Sequence, residues 1–440
     1  MSIVTSHVDF LVTGANGFVG SAVTELLLSK GYSVRALVRD TQKGELLAQK
    51  GVSIVLGDLN NIDALREAVR NVSCILHIGA LFRQAGLPSS EFFRVNVEGT
   101  RLLIECAVEA GVPKMVHCST VGVHGHIQSP PADETTPYDP GDPYQESKVQ
   151  GEQVFLEAVH AGKIQGVVIR PAMIFGPKDS RTLKIFKPIA QGRFFYVGRG
   201  DALVHFVDVR DLAESFLLAA TKDGINGEVF IIAGETSLPL RELAGIISEL
   251  MGVKKPWIRI PAKPMQMLGS LCETICTPIK INPPLYRRRV DFFTKDRCFN
   301  VTKAHTFLGF RPKRSLVQEL SEIIESYVEA GMIPAERLKH RSVLLRAASG
   351  AIKYWRDSKP KKYGWETSQI VGELSHSIFS TEFPTELPKI NQELLERGEW
   401  SGPLVQKNKA GETVNVKSTW KLLPFTLNSE PLILEVNEPL

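Results

Sequence analysis

The stretch VDFLVTGANGFVGSAVTELLLSKG, residues 8–31, decides the fold. An apolar run, VDFLVT, stops at a glycine, and an amphipathic segment opens at the third glycine. That pattern predicts a strand, a tight turn and a helix. The glycines at 14, 17 and 20 have separate uses. The first permits the turn, the second lets the backbone approach a pyrophosphate, and the third lets helix and strand pack closely, leaving the helix N-terminus aimed at phosphates. Gly14, Asn16, Gly17, Phe18, Val19 and Gly20 are therefore the candidate cradle of a dinucleotide.

Working outward, apolar runs keep alternating with amphipathic segments to about residue 230: SVRALV, ALREAVRN, SCILHIGA, RLLIECAVEAG, KMVHCST, GEQVFLEAVHA and GVVIRP. Continuous apolar strands separated by helices predict a doubly wound α/β architecture, a parallel sheet covered on both faces. After Thr236 the alternation weakens into helix-like stretches with Pro-rich connections, which fit a smaller mixed cap. The second strand ends in Val38-Arg39, where an acidic residue would grip the ribose hydroxyls of NAD. Arg39, with Arg35 and Lys43 nearby, can pair with a 2′-phosphate instead, which favours NADP over NAD. A solvated arginine before a turn is the other reading. In Gly57-Asp58-Leu59, after the third strand, Asp58 either accepts from an adenine amino group or caps the following helix.

At 440 residues the chain calls for two or three domains. It is 43% hydrophobic and 23% charged with a formal charge of +4, which gives no electrostatic case for nucleic acid. No export signal is visible in MSIVTSHVDFLV, and the longest lipophilic stretch, Met265 to Ile279, is interrupted by Glu273 and Pro278. A cytoplasmic protein without an integral membrane segment is expected. Cysteines 74, 106, 118, 272, 276 and 298 have no zinc or redox spacing apart from the loose Cys272-x-x-x-Cys276, so free thiols and no metal site are expected.

In DPYQESKVQGEQ, residues 142–153, Tyr144 and Lys148 are four apart and share one helix face. A fixed ammonium favours the phenolate, which suits the tyrosine to acid and base work on an alcohol or ketone. The strand KMVHCST ends upstream in Ser119-Thr120, where a hydroxyl can bind the substrate oxygen. With TGANGFVG, GDL, HIGA at 77–80, VNVEGT at 95–100, STVGVHG at 119–125, YQESK, RPAMIFGP at 170–177 and HFVDVRDLAE at 205–214, the chain resembles the extended short-chain dehydrogenase/reductase superfamily over residues 8 to 330. The resemblance implies a Rossmann-type sheet and a nicotinamide held near Tyr144, the proton carrier. It implies that Lys148 binds the nicotinamide ribose, that Thr120, with Ser119 beside it, is the hydroxyl helper, and that Asn96 has a structural and relay role. It adds Leu59, Gly79, Ala80 and Pro171 to the cofactor contacts, and it reads His124, in place of the usual tyrosine, as packing.

Val121-Gly122 after Thr120 replaces the Asp-Glu of sugar-nucleotide dehydratases, and Ala172-Met173 replaces the asparagine of many epimerases. The segment PPLYRRRVDFFTKDRCFNVTKAHTFLGFRP, residues 283–312, looks like the closing part of 3β-hydroxysteroid dehydrogenase-like reductases. Phe194, Phe195, Met265, Met267, Leu268 and Leu271 make an apolar cap that suits a lipophilic small-molecule substrate, or merely packs. The leading expectation is an oxidoreductase interconverting a secondary alcohol and a ketone; a nucleotide-sugar epimerase is the alternative.

A seam lies at Gly331 to Ile352, and nine basic against two acidic residues between Glu336 and Lys362 read as a solvated linker and domain edge. Beyond it, two strand patterns, a helix at FPTELPKINQELLERGEW and three more strands resemble an α+β PAS sensor domain. Ala351–Trp355, Tyr363-Gly364-Trp365, Gly398-x-Trp400-x-Gly402, Lys409-Ala410-Gly411 and Ser418-x-Trp420 carry that resemblance. Pro360 and its neighbouring lysines predict a distorted helix, and His376 is expected at the surface or in a cap. The expected division is a 1–335 enzyme unit, with a dinucleotide core at about 8–235 and cap elements at about 176–200 and 236–335, followed by a PAS-like domain at 336–440. The PAS resemblance implies a homodimer, an unidentified small ligand in that domain and, as a third functional reading, a redox sensor.

Overall fold

A computed structural model describes residues 7–84, 86–276, 287–337, 341–358, 360–427 and 430–440. Pro278 and the opening of the closing segment, Pro283 to Tyr286, lie outside the described residues, as does the Cys276 side chain. The chain forms two compact units. One comprises residues to Phe175, Val197–Pro239 and Ile260–Lys313; the other comprises Gly176–Tyr196, Leu240–Arg259 and Arg314–Leu440.

In the first unit seven strands form one sheet: β1 (Val8–Thr13), β2 (Val34–Val38), β3 (Ser53–Leu56), β4 (Val72–His77), β5 (Lys114–Cys118), β6 (Gln165–Pro171) and β7 (Val229–Ile232). Their order is β7-β6-β5-β4-β1-β2-β3, and every pair is parallel. This is the doubly wound α/β sheet expected from the apolar runs. Side chains alternate along each strand, so Phe10 and Val12 enter one core while Leu11 enters the other. The first core holds helices Phe18–Ser29 and Val209–Thr221, and the second holds Ile62–Ala68, Gly99–Glu109 and Pro143–His160. Both faces of the sheet are apolar, so polar chemistry is left to the strand ends. The sequence order reverses between β1 and β4, which opens the crevice where such sheets bind ligands.

The glycine turn is sterically obligatory at two positions. Gly14 has φ +73°, and a Cβ there would lie 2.8 Å from the Gly79 backbone; a Cβ on Gly20 would lie 2.0 Å from the Gly14 carbonyl oxygen. Gly17 is the N-cap of helix Phe18–Ser29 with no side chain bonding the helix amides, so those donors remain for an anion.

In the second unit, five strands form an antiparallel sheet: β8 (Ser342–Ala347), β9 (Ile352–Arg356), β10 (Glu399–Lys407), β11 (Thr413–Leu427) and β12 (Glu430–Pro439). Their order is β9-β8-β12-β11-β10, and the expected helix runs from Leu387 to Arg397. The inner face carries a core of Leu344, Trp355, Tyr363, Phe379, Trp400 and Trp420. Around Pro360 the expected helix is replaced by a turn that the Asp357 carboxylate organises, accepting from the amides of Lys362, Tyr363 and Gly364. His376 is half-buried rather than fully at the surface. It stacks on Trp420 at 5.4 Å and meets Phe383 edge-on at 4.9 Å, and burial pulls its pKa down to about 3.

The same unit contains helices Leu183–Ala190, Leu240–Met251 and Leu316–Glu329. Arg356 of β9 donates to the Ser321 hydroxyl at 2.6 Å and lies 3.6 Å from Glu325. One turn on, Tyr327 donates to the Asp179 carbonyl at 2.5 Å, and the Lys178 amide donates to Ser326 at 3.0 Å. Helix Leu316–Glu329 thus joins the sheet to the loop that follows Phe175.

Of the apolar cap residues, Phe194 is buried, Phe195 is 37% exposed, and Met267, Leu268 and Leu271 are each at least half exposed. The last three therefore do not pack a cap. No helix among the described residues is long and apolar enough to cross a membrane.

Candidate active site

The candidate residues from different strands converge on one edge of the sheet because all seven strands run the same way. The glycine turn follows β1, Arg39 follows β2, Asp58 and Leu59 follow β3, Gly79 and Ala80 lie just past β4, Ser119 and Thr120 follow β5, and Pro171 ends β6. Arg39 is exposed. Arg35 points elsewhere: its guanidinium donates to the carbonyls of Ala68 at 3.0 Å and Arg70 at 2.6 Å, closing the end of helix Ile62–Ala68. It belongs to the fold and is not available to a 2′-phosphate. Asp58 does not cap the next helix either; it accepts from the Asn60 amide at 2.8 Å, and Asn61 is the cap.

Helix Pro143–His160 begins with Asp142 as N-cap, accepting from the Gln145 amide at 2.9 Å, and Pro143 in its first turn. Tyr144 is buried to 9% between the edges of Phe82 and Phe92, at ring distances of 5.1 and 6.4 Å. One turn later Lys148 is 4% exposed, and its ammonium donates to the Cys118 carbonyl at 2.7 Å, the last residue of β5. That bond holds the helix against the strand end that carries Ser119 and Thr120. Burial pulls the Lys148 ammonium below its usual range.

Thr120 accepts from the Gly122 amide at 3.0 Å, which leaves its hydroxyl proton to be donated elsewhere. Ser119 is buried, and its hydroxyl has no hydrogen-bond partner among the described residues. Both hydroxyls stand just past the end of β5. Burial keeps the neighbouring Cys118 thiol protonated, its pKa pushed up to about 11.

Asn96 lies in the π-helical turn Arg94–Glu98. Its amide accepts from the Leu81 amide at 2.7 Å and donates to the Leu81 carbonyl at 3.1 Å and to Ser147 at 2.9 Å; Ser147 in turn donates to the Tyr144 carbonyl at 2.8 Å. Asn96 thereby clamps the loop after β4 to the tyrosine helix.

Three features were not read from the sequence. A chain of bonds runs from the Gly79 amide to Thr13, to His77, to Thr100 and to the Asn96 carbonyl, at 3.0, 2.8, 3.0 and 2.8 Å. Its donors and acceptors are all used when His77 is neutral and carries its proton on Nε2. Burial, with Lys148 nearby, brings the His77 pKa down to about 3. The second feature is a buried ion pair, in which Arg170 meets Glu152 at 2.5 Å with Tyr138 and His124 around it. His124 is buried in this cluster, and the pair fixes the end of β6 beside Pro171. The third is Arg83, whose guanidinium lies 4.9 Å from the centre of the Tyr144 ring. The charged residue in RPAMIFGP and a glutamate four after Lys148 were the signals for the ion pair; nothing in the sequence joined Arg83 to Tyr144.

The turn fits a dinucleotide: the space that Cβ atoms at 14 and 20 would fill is occupied by backbone, and the helix amides are uncapped. When bound, such a cofactor supplies or accepts hydride. Residues 10–233 match the NAD dependent epimerase/dehydratase family. A ketoreductase from Stigmatella aurantiaca, acting on 4-hydroxy-2-methyl-3-oxo-4-farnesyl-3,4-dihydroquinoline-1-oxide, is 28% identical over 337 residues, covering 75% of this chain and 99% of the relative. The 3 beta-hydroxysteroid dehydrogenase/Delta 5-->4-isomerase of Mycobacterium tuberculosis is 30% identical over 346 residues, covering 74% of this chain and 92% of the relative. The crystal structure of gox2253 superposes with a TM-score of 0.63 at 31% identity, covering 74% of this chain and 99% of that one. The parallel sheet, its glycine turn and the match over residues 10–233 make this chain a member of the NAD dependent epimerase/dehydratase family, an NAD(P)-dependent enzyme of the short-chain dehydrogenase/reductase type.

Proposed function

We propose that the enzyme interconverts a lipophilic secondary alcohol and its ketone, using NADP in preference to NAD. The observation that supports this reading is the bond from the Lys148 ammonium, one turn after Tyr144, to the carbonyl of Cys118, the residue before Ser119 and Thr120. In the reduction direction Tyr144 gives its phenolic proton to the substrate oxygen as hydride reaches the carbon; Thr120 donates to the same oxygen, and Lys148 favours the phenolate left behind. Arg39, exposed past β2, is the residue that meets a 2′-phosphate. The ketoreductase and hydroxysteroid dehydrogenase relatives support a lipophilic substrate.

Residues 336–440 act in this reading as a PAS-like regulatory module. Two strands, helices and three strands, ordered β9-β8-β12-β11-β10, support it, and contacts of helix Leu316–Glu329 with Arg356 and with Asp179 provide a route to the loop after Phe175. Through this module the enzyme forms a homodimer and responds to a small ligand. Mass spectrometry of small molecules released on denaturing the full chain, joined to assays on alcohols and ketones, tests the proposal. Released NADP and hydride transfer to a ketone support it. Tightly held NAD with interconversion of nucleotide sugars would establish an epimerase instead.

A further inference from the structure

Arg83 lies in the loop that leaves β4, two residues beyond Leu81, whose amide and carbonyl are both held by Asn96. Its Nε donates to Asp142 at 2.8 Å and a terminal nitrogen lies 2.7 Å from the same carboxylate oxygen. Asp142 is itself fixed, because its other oxygen caps the tyrosine helix. The guanidinium is therefore held by a fixed carboxylate, and its carbon lies over the face of the Tyr144 ring at 4.9 Å from the centroid.

Ionising a phenol spreads negative charge from the oxygen into the ring. A cation over the face attracts the ring of a neutral phenol weakly and that of a phenolate strongly, so it favours loss of the proton. Among the described charged groups around Tyr144, Asp142 and Lys148 lie on its own helix, and Arg83 comes from the β4 loop. Arg297, close enough to Arg83 to repel it, spends its own donors on the carbonyls of Lys295, Asp291 and Phe292. On the helix carrying Phe92, Glu91 is paired with Arg94, and His124 of the turn after Thr120 faces Arg170.

We propose that Arg83 is a positioning residue for proton transfer: anchored by Asp142, it lies on the face of the Tyr144 ring and stabilises the phenolate, as a second cation beside Lys148. The proposal rests on the reading of Tyr144 as the proton carrier, but its test does not require turnover. Phenolate absorbance at 295 nm is titrated in the full-length protein saturated with NADP, and the curve of Tyr144→Phe is subtracted in each background to isolate one of the eight tyrosines. Arg83→Gln is expected to raise the midpoint by about one pH unit, a tenfold weaker ionisation, while Arg83→Lys stays within about 0.3 unit. Arg83→Met, which keeps an unbranched stem and removes the charge, raises the midpoint likewise and supplies the test if Arg83→Gln does not fold. An unmoved midpoint in whichever of the two folds overturns the proposal. If Tyr144→Phe retains full turnover, the proton-carrier reading falls while the titration still decides whether Arg83 favours the phenolate.

Discussion

The two sheets place their polar groups in opposite ways. In the seven-stranded sheet both faces are mostly apolar, and its buried arginines, Arg35 and Arg170, send their guanidiniums to partners on the covering helices. In the five-stranded sheet the inner face itself carries Arg346, Glu435, Asn437 and Gln406, all at most 1% exposed, among tryptophans and a tyrosine. A parallel sheet covered by helices on both sides holds charge where helices or strand ends supply partners. An antiparallel sheet with a single inner core can hold a polar cluster at its centre if the members satisfy one another. Here they do so incompletely: Arg346 meets Glu435 at 3.4 Å, and one Arg346 nitrogen and the Asn437 oxygen have no hydrogen-bond partner among the described residues.

The contrast can be broken most severely at the glycine turn. Gly20→Val drives a side chain into the Gly14 carbonyl and is expected to weaken dinucleotide binding at least about 100-fold, with a stability loss of about 3 kcal/mol from overpacking. All five tryptophans, at 257, 355, 365, 400 and 420, lie in the second unit, so the tryptophan fluorescence of the folded protein should be unchanged while calorimetric titration shows the binding loss.

Next come the buried charges. Glu152→Gln leaves Arg170 unpaired and is expected to cost about 3–5 kcal/mol in urea unfolding followed by circular dichroism. Glu435→Gln, followed by tryptophan fluorescence, should cost less, about 1–3 kcal/mol, because its contact with Arg346 is already long. Equal costs would erase the difference drawn between the two sheets.

Acid gives a graded effect. Folded His77 has a pKa near 3, against 6.5 for the unfolded chain, so between those values the unfolded chain binds a proton that the folded one does not. Stability therefore falls as pH drops through this window, by up to ~1.4 kcal/mol per unit for this one group. His77→Gln, which keeps a donor and an acceptor, should flatten the pH dependence of the melting temperature there. The smallest effect is expected at exposed Arg39: Arg39→Ala should weaken NADP about tenfold in a fluorescence titration and leave NAD unchanged.

Much of the first sheet was legible because its strands are buried on both faces and so read as uninterrupted apolar runs, and because TGANGFVG stands where a strand must become a helix. The shared helix face of Tyr144 and Lys148 was legible too, as was Ser119-Thr120 at the end of an apolar strand, but not the bond from Lys148 to the Cys118 carbonyl. What escaped depends on side-chain direction and on partners far apart in sequence. Arg35 and Arg39 lie near opposite ends of one short strand, and Arg35 turns to three carbonyls at the end of a helix thirty-odd residues on. Arg83 reaches Asp142 across 59 positions. His376 sits in a polar-looking helix start, and only the folded sheet brings Trp420 beneath it.

The central claim is that Tyr144 moves the proton, and the measurement that meets it most directly is turnover of Tyr144→Phe beside its dinucleotide affinity. With NADP and the alcohols or ketones accepted by the unaltered enzyme, the account predicts affinity within about threefold and a rate lower by about 100-fold to 10,000-fold. A Tyr144→Phe enzyme that turns over at the unaltered rate would contradict it.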